Sequence, residues 1–171
     1  AVKNAEIPVN LYLGQEIYID KDYERIFDEK QVLTINGTNY VLLEFYYGRE
    51  YDIVDAVFEL SLRGYKAVIA HFERYSYATI SDAESIKKMG GLIQVNASSI
   101  VGKDGFDLKK RAKRLFEEGL VDFVASDIHS NRTNYMAKAY KLVSKKYGNE
   151  LADKVFTENA KEILIKSQAN A

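Results

Sequence analysis

The feature that most limits how this chain can fold is a regular alternation of short apolar runs with segments of helical spacing. The apolar runs predict strands over residues 9–13, 40–45, 67–70, 92–96 and 122–126. Amphipathic spacing predicts helices over residues 22–30, 51–63, 81–90, 107–119, 133–147 and 149–166. Strands that alternate with helices form βα units around a parallel sheet, so the sequence predicts an α/β fold. No linker or repeat interrupts residues 1–171, which predicts a single domain.

Composition excludes several classes of function. The chain carries 24 Lys and Arg against 25 Asp and Glu, and this balance favours neither nucleic acid nor an anionic membrane as a partner. The absence of cysteine excludes disulfides, thiolate catalysis and cysteine-rich zinc sites within this chain, and it is compatible with a cytoplasmic protein. No apolar run approaches the roughly 20 residues that cross a bilayer, so membrane insertion is not expected.

Polar side chains follow the ends of the predicted strands. Glu16 follows the first apolar run, His71 the third, and Asp127 and His129 the fifth, and the chain has no other histidine. The C-terminal ends of parallel strands share one edge of the sheet, and in α/β folds that edge holds the active site. Asp127 and His129 are two residues apart, so in an extended segment their side chains point to the same side. Imidazole and carboxylate together suit Mn, Fe or Zn, which predicts a metal site at this edge.

Two arginines near the same edge are candidates for binding phosphate. Arg74 follows His71 closely, and its guanidinium presents a donor fork that matches phosphate oxygens. Arg132 opens a helix just after His129, and helix N-termini favour anions. Taken singly, each residue has an ordinary alternative: a buried core histidine, a surface salt bridge or a solvated strand end. Their shared edge favours a functional site, and the weaker candidates at strand ends are Glu44, Gln94 and Asn96.

Four segments, in this order along the chain, resemble the PHP-domain protein tyrosine phosphatases of the CpsB and YwqE type: residues 14–18, 69–75, 94–96 and 125–129. The similarity extends over essentially the whole chain, and the segment IAHFERY at 69–75 is the most specific. The resemblance implies a distorted, TIM-like β/α barrel of the PHP type with a multinuclear metal cluster, commonly manganese. By position, Glu16 resembles a metal-bridging glutamate, and the residues that resemble further metal ligands are His71, Asp127 and His129. The residues that the resemblance places in catalysis are Arg74 and Arg132, which hold the substrate phosphate, and Asp127.

The resemblance also implies a function. These enzymes hydrolyse phosphotyrosine, notably on the autophosphorylated tyrosine kinase of the same operon, and so regulate capsule or exopolysaccharide biosynthesis. The partner implied here is therefore a phosphotyrosine protein, a bacterial tyrosine kinase. Two alternatives stay open: a PHP-type phosphatase of a small molecule such as histidinol phosphate, and a noncatalytic remnant that binds a partner.

The chain departs from the family pattern at its start. Family members begin with a D-x-H-x-H element and carry a further histidine on a later strand, and neither is present here. We therefore expect an incomplete barrel, a PHP-type domain that lacks its N-terminal strands. Four candidate ligands are too few to hold a multinuclear cluster firmly, so we expect this chain alone to be inactive or nearly so. The uncovered sheet edge is expected to be closed by another copy, by the missing N-terminal segment as a separate piece, or by a rearrangement of the chain.

Overall fold

The computed structural model describes residues 9–48, 50–129 and 133–165, in which the chain forms one parallel sheet with the strand order β1-β2-β3-β4-β5. The strands are β1 (Glu16–Ile19), β2 (Tyr40–Phe45), β3 (Lys66–Ile69), β4 (Leu92–Asn96) and β5 (Phe123–Ala125). The helices are α1 (Tyr23–Asp28), α2 (Ile53–Leu62), α3 (Ile80–Lys88), α4 (Ala97–Val101), α5 (Phe106–Glu117), α6 (Met136–Tyr147), α7 (Asn149–Asp153) and α8 (Asn159–Ile165). A π-helical turn, Lys154–Glu158, joins α7 to α8, and 3₁₀ turns lie at Ile35–Gly37 and Phe72–Arg74. The predicted α/β fold with a parallel sheet is confirmed.

One face of the sheet is apolar and packs against the helices. Parallel pairing aligns Ile17 with Leu43, Leu43 with Ile69, and Ile69 with Ile93. All four side chains are buried, and they join the main core with residues of the helices such as Leu60, Ile86, Leu115 and Val143. Because side chains alternate along a strand, the residues between them project from the opposite face.

The opposite face of the sheet has an apolar part and a polar part. Towards the strand starts, Tyr40, Val68 and Phe123 form a second buried cluster with Ile163 of α8. Towards the strand ends, the same face carries the polar side chains Glu44, Gln94 and Asn96. Helix α8 therefore packs against the apolar part, and the polar groups gather where the strands end.

The predicted first strand, residues 9–13, is wrong. Residues 11–13 are more than half exposed and pair with no strand in the described structure. The backbone N–H of Asn36 donates to the carbonyl of Leu13 (2.7 Å), so this segment is held by a turn contact instead of a sheet. The strand begins at Glu16, where exposed and buried residues alternate. Glu16 is therefore the first residue of β1, and it does not follow a strand as predicted.

The other elements lie close to their predicted positions. Strands β2 and β4 have the predicted bounds. Helix α3 begins at Ile80, before the predicted start at Ser81, because Thr79 is its N-cap and forms a capping box with Asp82. The short helix α4 was not predicted, because its five residues are too few for a helical repeat to appear. Among the described helices, none has the length and apolarity needed to cross a bilayer.

Tyr75 joins the turn after β3 to the end of β2. Its side chain is fully buried, and its hydroxyl accepts a hydrogen bond from the backbone N–H of Phe45 (3.0 Å). The two rings pack edge to face with centroids 5.9 Å apart. Burial raises the pKa of the Tyr75 hydroxyl, so the group stays protonated at physiological pH. This contact fixes the turn that follows His71 against the neighbouring strand.

We expect Tyr75→Phe to lower the free energy of unfolding by about 1–3 kcal/mol, because the buried N–H of Phe45 loses its acceptor. Urea denaturation followed by circular dichroism measures the change. The matched control is Tyr77→Phe, whose hydroxyl donates to the carbonyl of Tyr46 at a more exposed position. The control should lose about 0.5–1 kcal/mol, and equal losses in the two variants would contradict this role for Tyr75.

Candidate metal centre

Glu16, Glu44 and His71 bring three candidate ligand atoms together near the ends of β2 and β3. These atoms all lie within 4.8 Å of one another. His71 Nε2 is 3.4 Å from Glu16 Oε1 and 3.4 Å from Glu44 Oε1. In the parallel register Glu16 lies opposite Leu42, two residues before Glu44 on the same face, so the two carboxylates approach one nitrogen from adjacent strands. Three consecutive strands of the sheet therefore supply this group.

The orientation of His71 is fixed by its backbone and by burial. The residue has a left-handed backbone conformation, φ 35° and ψ 51°, immediately before the 3₁₀ turn Phe72–Arg74. Residues other than glycine rarely adopt this conformation, and those that do cluster at functional sites. The imidazole is 2% exposed and packs beside the Tyr75 ring. Nδ1 has no hydrogen-bond partner among the described residues, and Nε2 is the nitrogen that faces the two carboxylates.

Asp127 belongs to a second polar group, beside the ends of β4 and β5. Its Oδ2 accepts a hydrogen bond from Asn96 Nδ2 (2.9 Å) and lies 3.6 Å from Arg74 Nη1. The carbonyl oxygen of Asp127 is 3.1 Å from His129 Nδ1. Asp127 also has a positive φ of 45°, so both residues that follow strands here, His71 and Asp127, hold strained backbones. The second group combines a carboxylate, an amide, a guanidinium and an imidazole.

A buried hydrogen-bond network ties the turn after His71 to the rest of the sheet. Glu73 is fully buried, and its Oε1 accepts from Ser99 Oγ (2.6 Å) and from the backbone N–H of Asn96 (3.1 Å). Burial raises the pKa of this carboxyl, and the two hydrogen bonds oppose that rise. Arg111 of α5 donates from Nε to the carbonyl of Glu73 and from Nη2 to the carbonyl of Tyr75. Burial lowers the pKa of Arg111, and the charge of Glu73 opposes that effect.

The residues predicted from the sequence fall into these two groups. The first group holds Glu16 and His71, and the second holds Arg74, Asp127 and His129. Asp127 and His129 do not belong to the three-atom group, and Arg132 lies outside the described residues. The turn Phe72–Arg74 joins the groups, because His71 begins it and Arg74 at its end reaches Asp127. The roles assigned to these residues stay predictions.

Glu44 is the member of the first group that the sequence analysis rated as weak. One feature of the sequence could have identified Glu44 as a site residue: it is a carboxylate in an otherwise apolar strand, two residues after Leu42. This spacing places its side chain on the face opposite the helices. Glu73 and Arg111 were also missed as supporting residues. Nothing local marks an arginine on an amphipathic helix as the donor to a turn 38 residues away.

The three-atom group fits a divalent transition metal by the chemistry of its donors. Carboxylate oxygens and an imidazole nitrogen suit Mn, Fe or Zn. The side chains of Glu16 and Glu44 are 35% and 29% exposed, and they place two negative charges beside the same buried imidazole. A cation held by these residues would offset the repulsion between the carboxylates and the cost of desolvating them.

Comparisons with known proteins show which family this chain belongs to. Residues 1–165 match the profile of a family described as capsular polysaccharide synthesis, CpsB/CapC. The tyrosine-protein phosphatase CpsB of Streptococcus agalactiae serotype V is 36% identical over 167 residues, which cover 91% of this chain and 68% of that protein. The tyrosine-protein phosphatase YwqE of Bacillus subtilis is 34% identical over 168 residues, which cover 95% of this chain and 65% of that protein.

The fold of this chain is also similar to a solved structure of this kind. A structure from work on YwqE of Bacillus subtilis and CpsB of Streptococcus pneumoniae, described as unique metal-dependent tyrosine phosphatases, superposes with a TM-score of 0.84 at 32% sequence identity. The superposition covers 96% of this chain and 68% of that one. From the match over nearly its whole length and from the shared fold, this chain belongs to the CpsB/CapC family of capsular polysaccharide synthesis.

Proposed function

We propose that this chain functions in a metal-dependent protein tyrosine phosphatase that regulates capsule or exopolysaccharide synthesis by dephosphorylating a bacterial tyrosine kinase. The observation that carries the proposal is that the ligand atoms of Glu16, Glu44 and His71 lie close together. Arg74, whose guanidinium suits phosphate, follows His71 by three residues. The names of the relatives support the reaction class. The expected substrate is a kinase that uses ATP, which places the proposed reaction in the cytoplasm.

The proposed architecture is a distorted, TIM-like β/α barrel of the PHP type. Two features support it: the five strands are parallel and consecutive in the sheet, and the main core lies on one face between sheet and helices. In such a barrel, the face that carries Glu16 and Glu44 points inward, and the catalytic groups lie at the C-terminal ends of the strands. Both buried clusters draw on strands of the same sheet, which supports a single domain.

Manganese is the proposed cation, with iron and zinc as the other metals that suit these donors. Glu16, Glu44 and His71 would hold one ion, and Asp127 and His129 are proposed ligands for further ions of a cluster. When bound, the cations supply Lewis-acid stabilisation of the phosphoryl oxygens and lower the pKa of water. The chain's own contribution is a fixed donor set, because the buried His71 and its hydrogen-bonded turn hold the imidazole in place.

Arg74 is the proposed binding residue for the phosphate of the substrate. Its side chain is 21% exposed, and its contact with Asp127 Oδ2, at 3.6 Å, holds it at the edge of the site. A guanidinium has more donors than this one contact engages, so it can also donate to phosphoryl oxygens as their charge develops. Asn96 donates to the same carboxylate oxygen of Asp127, Oδ2, and so helps to hold that carboxylate beside the arginine. Arg132 is the proposed second phosphate-binding arginine.

The substrate class is tested by comparing a phosphotyrosine peptide with histidinol phosphate in manganese buffer. In the complete natural protein that contains this sequence, kcat/KM should be higher for the phosphotyrosine peptide. Faster turnover of histidinol phosphate would favour a small-molecule phosphatase instead. Stoichiometric binding of a phosphotyrosine peptide without hydrolysis or bound metal would favour a noncatalytic binding protein.

The metal assignment is tested with Glu44→Gln, which keeps the size of the side chain and removes its charge. We expect manganese affinity to fall by at least about tenfold, because one anionic donor of the site is lost. Calorimetric titration and metal content after dialysis measure this independently of activity. The matched control is Glu29→Gln on the surface of the α1 region, where the carboxylate pairs with the exposed Arg25. Equal manganese binding by both variants would exclude Glu44 as a ligand.

The phosphate role is tested with Arg74→Ala. We expect kcat/KM towards a phosphotyrosine peptide to fall by roughly 10²–10³, the typical effect of removing one donor to developing charge. Manganese content should stay at the level of the unchanged protein, because Arg74 is not among the proposed ligands. The control is Arg25→Ala, an exposed arginine on α1. Loss of the metal from Arg74→Ala would show that the arginine supports the metal site instead.

A further inference from the structure

Charge is unevenly distributed over this chain, although its totals nearly balance. Helices α5 and α6 together contain nine Lys or Arg and only two carboxylates. Residues 16–63 show the reverse, with eleven Asp or Glu and five Lys or Arg. The chain as a whole carries 24 basic and 25 acidic residues, so a basic region and an acidic region coexist on one molecule. Opposite regions of this kind attract each other between molecules.

The basic region contains an apolar groove between α5 and α6. Its volume is about 690 Å³, and its apolar lining includes Phe106 and Phe116 of α5 and Leu142 of α6. Phe106 and Leu142 are 78% and 41% exposed, so apolar surface here faces solvent. A groove of this size has room for large side chains from another segment.

Lysines surround this groove on both sides: Lys109, Lys110 and Lys113 on α5, and Lys145 and Lys146 on α6. Lys113 and Lys146 share one carboxylate, that of Glu117, at 3.3 and 3.4 Å. For the other three lysines, no carboxylate lies within ion-pair distance in the described part of the chain. The groove therefore fits an apolar segment that is flanked by acidic side chains.

Helix α2 in the acidic region is such a segment. Phe58 and Leu62 are 47% and 66% exposed, and they lie four residues apart on one face of the helix. The exposed Asp55 precedes them by one turn on the same face. Elsewhere α2 buries its apolar side chains, including Ala56, Val57 and Leu60, against the core. The two exposed apolar residues thus form an outward ridge that the described structure does not cover.

We propose that α2 of one copy of this chain inserts Phe58 and Leu62 into the groove between α5 and α6 of a second copy. The apolar side chains fill the groove, and the exposed Asp55 beside the ridge faces the lysines. The ridge and the groove are different surfaces, so each copy can bind one neighbour through its ridge and another through its groove. Head-to-tail contacts of this kind either close into a ring or extend into an open chain of copies. Both surfaces lie on the helical layer, so the contact leaves Glu44, on the opposite face of the sheet, outside the interface.

Sedimentation velocity of the 171-residue chain at increasing concentration tests the proposal. The unchanged chain should form dimers and larger species, and salt should weaken them because the contact is partly ionic. A ridge variant, Phe58→Ser with Leu62→Ser, and a groove variant, Lys110→Glu with Lys145→Glu, should each weaken association at least about tenfold. The control Leu33→Ser changes an apolar residue that is 42% exposed and belongs to neither surface, and it should associate like the unchanged chain.

Mixing the two variants gives the decisive measurement. The ridge variant keeps an intact groove and the groove variant keeps an intact ridge, so an equal mixture should form dimers and stop there. Circular dichroism checks that each variant is folded, and Leu62→Ser alone, at the more exposed ridge position, replaces the double variant if that one unfolds.

Three results would overturn the proposal. The first is that the unchanged chain stays monomeric at all concentrations. The second is that the variants associate like the unchanged chain, and the third is that the mixture of the two variants stays monomeric. A fourth would redirect it: if the lysine changes abolish binding to vesicles of anionic lipid but leave self-association intact, the groove faces a membrane surface and not a second copy.

Discussion

The arrangement of this molecule depends on the register of its first three strands. Ile17, Leu43 and Ile69 lie side by side and bury their side chains beneath the helices. Strand side chains alternate between faces, so Glu16 and Glu44 must lie on the other face. A slip of one residue would place the carboxylates in the apolar core, where an uncompensated charge is very costly. The packing of the core thus decides where the candidate ligands lie.

The site also depends on polar groups that are deeply buried. The turn after β3 carries His71 and Arg74, and the hydrogen bonds of Glu73 and Arg111 hold it against β4 and α5. Buried polar networks of this kind rigidify a structure when they are satisfied, because opening them leaves unpaired groups in a low-dielectric interior. That rigidity supports the left-handed backbone of His71, which directs its imidazole towards the two carboxylates.

The match to the CpsB/CapC family covers residues 1–165, and the local geometry gathers candidate metal ligands at one edge of the sheet. The family resemblance assigned ligand roles to Glu16, His71, Asp127 and His129, whereas the structure gathers Glu16 and His71 with Glu44 and sets Asp127 beside Arg74. The two groups adjoin through one short turn, so the proposed phosphate-binding arginine, Arg74, and the candidate metal donors lie on connected backbone. In metal-dependent hydrolysis of a phosphate ester, cations supply the nucleophile and cationic donors stabilise the developing charge.

The sequence by itself determined the α/β class, the bounds of β2 and β4, and the polar character of the strand ends, because these follow from local periodicity. It misplaced the first strand: residues 9–13 and Glu16–Ile19 both alternate, and only pairing with β2 distinguishes them. It also underrated Glu44, whose importance rests on the distance to His71 on the next strand. Only the tertiary structure decided these points, because register and the meeting of side chains depend on contacts between residues far apart in the chain.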